Sequence, residues 1–305
     1  MTAPHVAVGP LSSERITAAI RASGGVVATA GEPADALVWL APWDPQGLRE
    51  AMKTTGARWV QLNSAGVELI AEAGVLDPDR TWTCAKGAFA GPVAEHALML
   101  ALAGLRSLRT RVEARSWGPP EGLSLLDERV TILGGGGIGT CLLALLAPFR
   151  VRATVVRRGA DPVPGAARTL PVTRLAEALP DALVVFVALA LTPQTTGIIG
   201  SAELAAMRPD AWLVNVARGR HVDTNALVEA LDRGTIGGAA LDVTDPEPLP
   251  DGHPLWTNPR CIITPHTADT PEMVDQLTAE RVRDNVARFA AGQPLVGLVD
   301  VAAGY

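Results

Sequence analysis

The chain has 305 residues and a formal charge of −6, and 48% of its residues are apolar. This length suggests two domains, and so many apolar residues can form a core in each, which excludes a disordered chain. The acidic balance argues against binding to nucleic acid or to an anionic membrane, because both require clustered Lys and Arg.

The cysteines indicate the cellular compartment. Cys84, Cys141 and Cys261 are odd in number and scattered, and none is spaced as C-x-x-C, so neither a disulfide framework nor a zinc site is predicted. Residues 1–10 contain no basic region followed by an apolar stretch, and no apolar stretch is long enough to span a bilayer. We therefore predict a cytoplasmic protein without a metal site.

The first third of the chain alternates between short apolar runs and helical patterns. Strands are predicted at 5–8, 25–28, 36–40 and 59–62, and helices at 12–22 and 42–54. A longer helix is predicted at 92–115, where apolar residues recur with helical spacing. This alternation is typical of a parallel sheet.

A second series of strands and helices begins at residue 129. Its predicted strands are 129–133, 151–156, 183–190, 212–216, 238–243 and 262–264. Its predicted helices are 138–147, 172–179, 201–207 and 225–233, and a last amphipathic helix is predicted at 271–291.

These patterns predict an α/β fold with two Rossmann-like domains, each a doubly wound parallel sheet. A dinucleotide-binding domain, residues 98–267, would be inserted into a discontinuous, flavodoxin-like substrate domain made of residues 1–97 and 268–305. A cleft between two domains is a usual place for a small-molecule site.

A glycine pattern stands between the strand at 129–133 and the helix that follows it. Gly134, Gly136 and Gly139 form G-x-G-x-x-G, in which the glycines permit a tight turn, close approach to a pyrophosphate and helix–strand packing. Amides at the helix N-terminus, including those of Gly137 and Ile138, would bind the phosphates. The alternative is a plain glycine turn.

Two arginines follow the next strand. Arg157 stands 23 residues after Gly134, about where an acidic residue would bind the ribose hydroxyls of NAD, and Arg158 comes next. Guanidinium groups bind a 2′-phosphate, whereas a carboxylate would repel it. The pair therefore favours NADP(H), with NAD(H) possible because a solvated arginine pair suits either cofactor.

Three further residues each follow a predicted strand of the second series: Arg218, Glu247 and His266. In an open parallel sheet, the carboxyl ends of the strands line the ligand crevice. Carbonyl reduction needs a proton donor near neutral pH, a carboxylate to hold it and a cation. Taken singly, each residue has an ordinary alternative as a solvated charge or a core histidine.

Over nearly its whole length, the chain resembles the D-isomer-specific 2-hydroxyacid dehydrogenases, which include glyoxylate/hydroxypyruvate reductases and phosphoglycerate dehydrogenases. Besides the glycine pattern, the resemblance rests on the segments 93–96 (VAEH), 191–197 (LTPQTTG), 215–219 (NVARG), 240–249 (ALDVTDPEPL) and 264–266 (TPH). Together these motifs are highly specific.

The resemblance implies a role for each of the three residues. Arg218 would hold a 2-oxo acid by its carboxylate and carbonyl oxygen. His266 would protonate the carbonyl oxygen as hydride arrives. Glu247 would hydrogen-bond the imidazole of His266, orient it and raise its pKa, because a nearby anion favours the imidazolium form.

The resemblance also implies binding residues. Asp242 would contact the nicotinamide side of the cofactor, and Val216 would belong to the cofactor site. Ser64, Ala65 and Gly66 resemble a substrate-domain loop whose backbone amides hold the carboxylate, with a plain turn as the alternative. A homodimer is expected. The remaining histidines are expected to be non-catalytic, and these are His5, His221, His253 and His96. A structural role is expected for His96.

We therefore predict an NAD(P)H-dependent reductase of small 2-oxo acids, of the glyoxylate or hydroxypyruvate type, that forms the D-2-hydroxy acid. One alternative is a specialised dehydrogenase of the same fold, acting on phosphoglycerate, phosphite or a secondary metabolite. Another is a cofactor-sensing binding protein similar to the corepressors built on this fold. A third is an unrelated Rossmann protein such as a methyltransferase.

Overall fold

The computed structural model describes residues 3–28 and 31–302, and the chain forms two compact units. The first comprises Met1–Phe89 and Asp269–Tyr305, and the second, Ala90–Ala268, is inserted between these segments. The predicted boundary at 97/98 falls within a helix that lies wholly in the second unit, so the boundary moves to 89/90. Among the described residues, no helix has the length and apolar character needed to cross a membrane.

The first unit contains a five-stranded parallel sheet. Its strands are β1 (His5–Gly9), β2 (Val26–Val27), β3 (Ala36–Trp39), β4 (Trp59–Leu62) and β5 (Thr81–Thr83). Their order, β2-β1-β3-β4-β5, is that of the flavodoxin-like fold, which is the fold predicted for this domain. The sequence analysis missed β5, because its sequence Thr-Trp-Thr contains a single apolar residue and so gives no apolar run to detect.

Helices cover both faces of this sheet. They are α1 (Glu14–Ala22), α2 (Pro45–Thr55), α3 (Glu68–Glu72) and the last helix, here α10 (Pro271–Ala290). Ile16 and Ile20 of α1 pack with Val282 and Val286 of α10 on one face. The α2 and α3 side chains form the core on the other face. Ser13 and Asp44 accept amide hydrogen bonds at the starts of α1 and α2.

A buried polar bridge joins α10 to this sheet. The Nδ2 of Asn285 donates to Gln61 Oε1 and to the Val296 carbonyl, both at 2.9 Å, and its Oδ1 accepts from the Val296 amide at 2.8 Å. Asn285 and Gln61 are fully buried. Because buried polar groups are stable only when paired, these bonds fix the C-terminal segment against the sheet.

The second unit contains a seven-stranded parallel sheet. Its strands are β6 (Arg129–Leu133), β7 (Arg152–Arg157), β8 (Arg168–Pro171), β9 (Val184–Val187), β10 (Trp212–Asn215), β11 (Gly238–Leu241) and β12 (Cys261–Ile263). Their order is β12-β11-β10-β9-β6-β7-β8, which is the doubly wound Rossmann order with one added strand. The fold class is therefore confirmed. The short strand β8 was not predicted.

The helices of this unit are α4 (Ala90–Leu105), α5 (Leu108–Glu113), α6 (Gly137–Leu146), α7 (Ser201–Ala206), α8 (Thr224–Arg233) and α9 (Pro254–Thr257). Short 3₁₀ turns lie at Ala147–Phe149, Val172–Glu177 and Gly219–His221. The prediction of one helix over 92–115 is wrong. Ser107 adopts a left-handed conformation with φ of 51°, and the Leu105 carbonyl accepts from the Leu123 amide at 2.7 Å. The helix ends here because the Leu105 carbonyl accepts from the Leu123 amide instead of from the next turn of the helix.

Candidate active site

The glycine turn between β6 and α6 has the shape that a dinucleotide requires. Gly134 has a φ of 120°, and a Cβ there would collide with the backbone of Ala188. A Cβ on Gly139 would collide with the Gly134 carbonyl, whereas the space beside Gly136 is open. The first and third glycines therefore pack the turn tightly, and the second leaves room for a ligand to approach the backbone.

The N-terminus of α6 lies at this open space. Gly137 and Ile138 belong to its first turn, Gly136 provides no side-chain cap, and the first turn contains no acidic residue. The amides and the positive end of the helix dipole are thus available to an anion. These residues fit the pyrophosphate of a dinucleotide.

Arg157 ends β7 beside this turn. Its Cδ lies 3.4 Å from the position that a Cβ on Gly135 would occupy, and its guanidinium donates to the Asp161 carbonyl at 3.4 Å. Arg157 is half-buried and Arg158 is exposed. The strand end next to the glycine turn therefore carries positive charge, as the sequence predicts.

The segment after β10 holds Arg218. Asn215 is buried, and its side chain accepts from the Ala217 amide at 3.1 Å and donates to the Arg218 carbonyl at 2.9 Å. The Arg218 backbone is extended, and its guanidinium also donates to the Ala217 carbonyl at 2.7 Å. Val216 is buried and donates its amide to the Val187 carbonyl at 3.3 Å. The turn thus fixes Arg218 at the carboxyl end of the sheet.

Gly219 joins this segment to the loop that carries Glu247. A Cβ on Gly219 would collide with the carbonyl of Thr244, so the two backbones are in direct contact. The Thr244 amide donates to Glu247 Oε2 at 3.4 Å. Glycine is therefore required at position 219 for the two loops to lie side by side.

Glu247 and His266 form a direct pair. Glu247 Oε1 lies 2.5 Å from His266 Nδ1. His266 has a φ of 52°, a left-handed conformation that is unusual for a residue other than glycine. Its amide donates to the Asp242 carbonyl at 2.7 Å and to the Thr264 carbonyl at 2.8 Å. These bonds hold the backbone in the conformation that directs the imidazole to Glu247.

The pair has shifted pKa values. The hydrogen bond that His266 Nδ1 donates to Glu247 raises the pKa of His266 above its usual 6.5, against the opposing effect of partial desolvation. The same bond lowers the pKa of Glu247 below 4.5. The charge of Arg218 lowers the pKa of both groups, so its guanidinium lies within electrostatic range of them. The structure thus brings Arg218, Glu247 and His266 into one site.

Asp242 is the centre of a buried hydrogen-bond network. Its Oδ1 accepts from the Thr264 hydroxyl at 2.7 Å and the Thr267 amide at 2.9 Å, and its Oδ2 accepts from the Ala268 amide at 3.2 Å. His96 Nε2 of α4 lies 3.2 Å from Oδ1 and 2.9 Å from the Thr264 hydroxyl. Asp242 therefore supports the loop that carries His266.

Burial alone would raise the pKa of Asp242, but hydrogen bonds, first that from His96 and then that from Thr264, lower it overall. The sequence analysis gave His96 only a structural role. The sequence alone could not place His96 beside Asp242, because the two residues are 146 positions apart in the chain (242 − 96 = 146). The only sequence signal was the motif at 93–96, which starts a helix.

The predicted substrate loop lies in the first unit, after β4. Ser64 Oγ donates to the Gly66 carbonyl at 2.7 Å, and the Ser64 carbonyl accepts from the Ala85 amide at 2.8 Å. Ala65 lies between Ser64 and Gly66, after the carboxyl end of β4. Asn63 Oδ1, next to this loop, is buried without a hydrogen-bond partner.

The Rossmann sheet of the second unit, its glycine turn and the His–Glu pair beside an arginine define the class of nucleotide-dependent dehydrogenases. The family model for the D-isomer specific 2-hydroxyacid dehydrogenase, NAD binding domain, matches residues 96–268, which is more than half of the chain. The chain therefore belongs to the D-isomer specific 2-hydroxyacid dehydrogenase family, as its sequence motifs indicated.

Two individual relatives are similar to this chain over most of its length. An uncharacterized protein in the proB 3′ region of Corynebacterium melassecola is 42% identical over 254 residues, covering 81% of this chain and 84% of the relative. Glyoxylate/hydroxypyruvate reductase A of Photorhabdus laumondii is 28% identical over 279 residues, covering 88% and 87%.

A solved structure is similar over the full length. The D-isomer specific 2-hydroxyacid dehydrogenase from Xanthobacter autotrophicus Py2, in complex with NADPH and MES, has a TM-score of 0.83 and 27% identity. The match covers 99% of this chain and 100% of that structure.

Proposed function

We propose that the protein reduces a small 2-oxo acid, of the glyoxylate or hydroxypyruvate type, to the D-2-hydroxy acid with NADPH. The observation that carries this proposal is the 2.5 Å Glu247–His266 pair, within electrostatic range of Arg218. The Photorhabdus relative bears the name of a reductase of this substrate class, which supports the choice of substrate.

The proposed reaction divides the work among three side chains. Arg218 binds the carboxylate and the carbonyl oxygen of the substrate by charge-assisted hydrogen bonds. His266 forms a hydrogen bond to Glu247 through Nδ1 and donates a proton from Nε2 to the carbonyl oxygen of the substrate. Glu247 stays ionised, fixes the ring and favours its protonated form. When bound, the nicotinamide cofactor supplies the hydride.

The residues proposed to bind the cofactor are Gly134, Gly136, Gly137, Ile138, Gly139, Arg157, Arg158, Val216 and Asp242. The open space at Gly136 and the uncapped start of α6 support binding of a pyrophosphate. Arg157 and Arg158 favour the 2′-phosphate of NADPH, and the Xanthobacter structure holds NADPH. Asp242 is proposed to contact the nicotinamide side of the cofactor, and its observed contacts also hold the loop that carries His266.

Further parts of the proposal concern binding and assembly. Ser64, Ala65 and Gly66 are proposed to bind the substrate carboxylate. We also propose a homodimer, because the apolar side chains of Leu108, Val112 and Trp117 are exposed in and just after α5. Cys84, Cys141 and Cys261 are free thiols, which suits the reducing cytoplasm proposed for the protein.

The direct test is loss of NADPH or NADH absorbance with glyoxylate, hydroxypyruvate, pyruvate and phenylpyruvate. We expect turnover of the smaller acids with a preference for NADPH.

His266→Gln should lower kcat by about 10²–10⁴ while the Kd for NADPH stays the same. His253→Gln, a histidine that caps α9, is the control. Turnover by His266→Gln at the wild-type rate would refute the mechanism.

A further inference from the structure

His221 is a fully buried histidine that the proposed reaction does not use. It ends the 3₁₀ turn Gly219–His221, three residues after Arg218. Its Nδ1 lies 3.3 Å from the Arg218 amide nitrogen and 3.0 Å from the Arg218 carbonyl oxygen. Its Nε2 lies 3.3 Å from the carbonyl oxygen of Ala190. The ring therefore lies between the backbones of two different loops.

The chemistry of these neighbours selects one form of the ring. The Ala190 carbonyl can only accept, so Nε2 must carry a proton to donate to it. The Arg218 carbonyl already accepts from Asn215 Nδ2 at 2.9 Å and from the His221 amide at 3.2 Å. The Arg218 amide needs an acceptor, and an unprotonated Nδ1 provides it. The neutral imidazole with its proton on Nε2 satisfies both loops.

The loop that contains Ala190 is held from its other side as well. The Thr195 hydroxyl donates to the Ala190 carbonyl at 2.8 Å, and the Gly197 amide donates to the Arg220 carbonyl at 2.8 Å. Ile199 forms a parallel bridge with Val222. The segment after β9 is thus joined to the residues that follow Arg218, and His221 connects the backbone of Arg218 itself to this segment.

We infer that His221 is a positioning residue, which sets the Arg218 backbone through Nδ1 so that the guanidinium meets the carboxylate of the substrate. This inference rests on the proposed function, because Arg218 is the proposed carboxylate ligand. His221 itself touches neither substrate nor cofactor in this scheme. Its loss should weaken carboxylate binding and leave the proton-transfer pair of Glu247 and His266 unchanged.

Two substitutions separate the two ring nitrogens. His221→Asn places an oxygen near the position of Nδ1, so it keeps an acceptor for the Arg218 amide and loses the link to Ala190. His221→Gln places its amide near Nε2, so it keeps the link to Ala190 and loses the acceptor. His253→Gln is the matched control, because His253 Nδ1 also accepts a backbone amide, that of Leu255, at 3.3 Å.

The variants are compared by KM for the 2-oxo acid and by calorimetric Kd for oxalate, a dicarboxylate that cannot be reduced, with NADPH present. We expect His221→Gln, which loses the bond to Arg218 itself, to raise both constants about tenfold, and His221→Asn, which keeps that bond and loses only the link to Ala190, to raise them by less. The pH at which reduction falls off, which reports His266, should be the same in all variants. Equal constants in both variants, or a lower Tm with unchanged constants, would reduce His221 to a structural role and overturn the inference.

The two proposals fail differently. If the wild type reduces no 2-oxo acid but oxalate binding follows the expected pattern, the inference stands and the proposed function fails. If the wild type is active and the pattern is absent, the inference fails alone, and a wild type that neither reduces a 2-oxo acid nor binds oxalate overturns both. Long-range ¹H–¹⁵N NMR of the wild type tests the ring without a substitution, because a proton found on Nδ1 would overturn the inference.

Discussion

His266 and Glu247 titrate as a coupled pair, and the direction of each shift defines when the pair stabilises the fold. The native pKa of His266 is raised, so its contribution is complete below pH 6.5 and is lost as the pH rises through that native pKa. The native pKa of Glu247 is lowered, so its contribution is complete above pH 4.5 and is lost as the pH falls through it. The ion pair is thus strongest between these limits.

Glu247→Gln should change the pH dependence of the reaction. Glutamine keeps a hydrogen-bond acceptor but removes the charge, so the pKa of His266 falls. The alkaline limit of kcat/KM for reduction should then move to lower pH, and each unit of movement lowers activity above the limit about tenfold. Profiles of kcat/KM from pH 5 to 10 measure the shift.

The control for this prediction is Asp245→Asn, which removes an exposed carboxylate from the same loop. That variant should keep the wild-type limit. An unshifted limit in Glu247→Gln would show that Glu247 does not set the protonation of His266.

Arg157→Ser should reduce the preference for NADPH. Loss of the guanidinium at the end of β7 removes the charge-assisted contact that we propose to the 2′-phosphate, so the ratio of kcat/KM for NADPH to that for NADH should fall about ten- to a hundredfold. Arg152→Ser, at the opposite end of β7, is the control. An unchanged ratio in Arg157→Ser would assign cofactor selection to other residues.

At the scale of the element, the stability of α10 depends on the buried side-chain amide of Asn285. Asn285→Leu should lower the free energy of unfolding by about 2–4 kcal/mol, because it leaves the half-buried amide and carbonyl of Val296 without their partner. Gln276→Leu, on the exposed side of the same helix, should change stability little. Urea denaturation measures both variants, and equal midpoints would contradict the prediction.

The sequence predicted most elements, because buried strands and amphipathic helices of ordinary length carry clear periodic patterns. The strand Trp59–Leu62 and the strand Arg129–Leu133 were predicted to the residue. The break at Ser107 was missed, because it depends on a hydrogen bond from Leu123, which no local pattern reveals. The strands Thr81–Thr83 and Arg168–Pro171 were missed because neither contains a run of apolar residues.

The candidate site was predictable in part. The glycine turn has its own local signature, and the family motifs named Arg218, Glu247 and His266. The network of His96, Asp242 and Thr264 was not predicted, since it joins residues on different elements through tertiary packing. Motifs identify residue types, whereas the partners of a side chain emerge only from the fold.

At the scale of the whole molecule, the exposed apolar side chains around α5 lead to a prediction about assembly. The double variant Val112→Glu and Trp117→Glu should be monomeric, because charges on these side chains oppose burial against a second copy. Light scattering after size-exclusion chromatography measures the mass. Trp43→Glu, an exposed tryptophan of the first unit, is the control. A wild-type monomer, or a dimer that survives the double substitution, would refute the proposal.

The contact between Gly219 and Thr244 limits how this protein could evolve. Any side chain at position 219 displaces two loops at once, one with the proposed anion ligand and one with the partner of the proposed acid. Variation there would damage both functions together, so selection for a new substrate would have to act at other positions. A mutational library aimed at new specificity should leave residue 219 unchanged and sample positions that do not join the two loops.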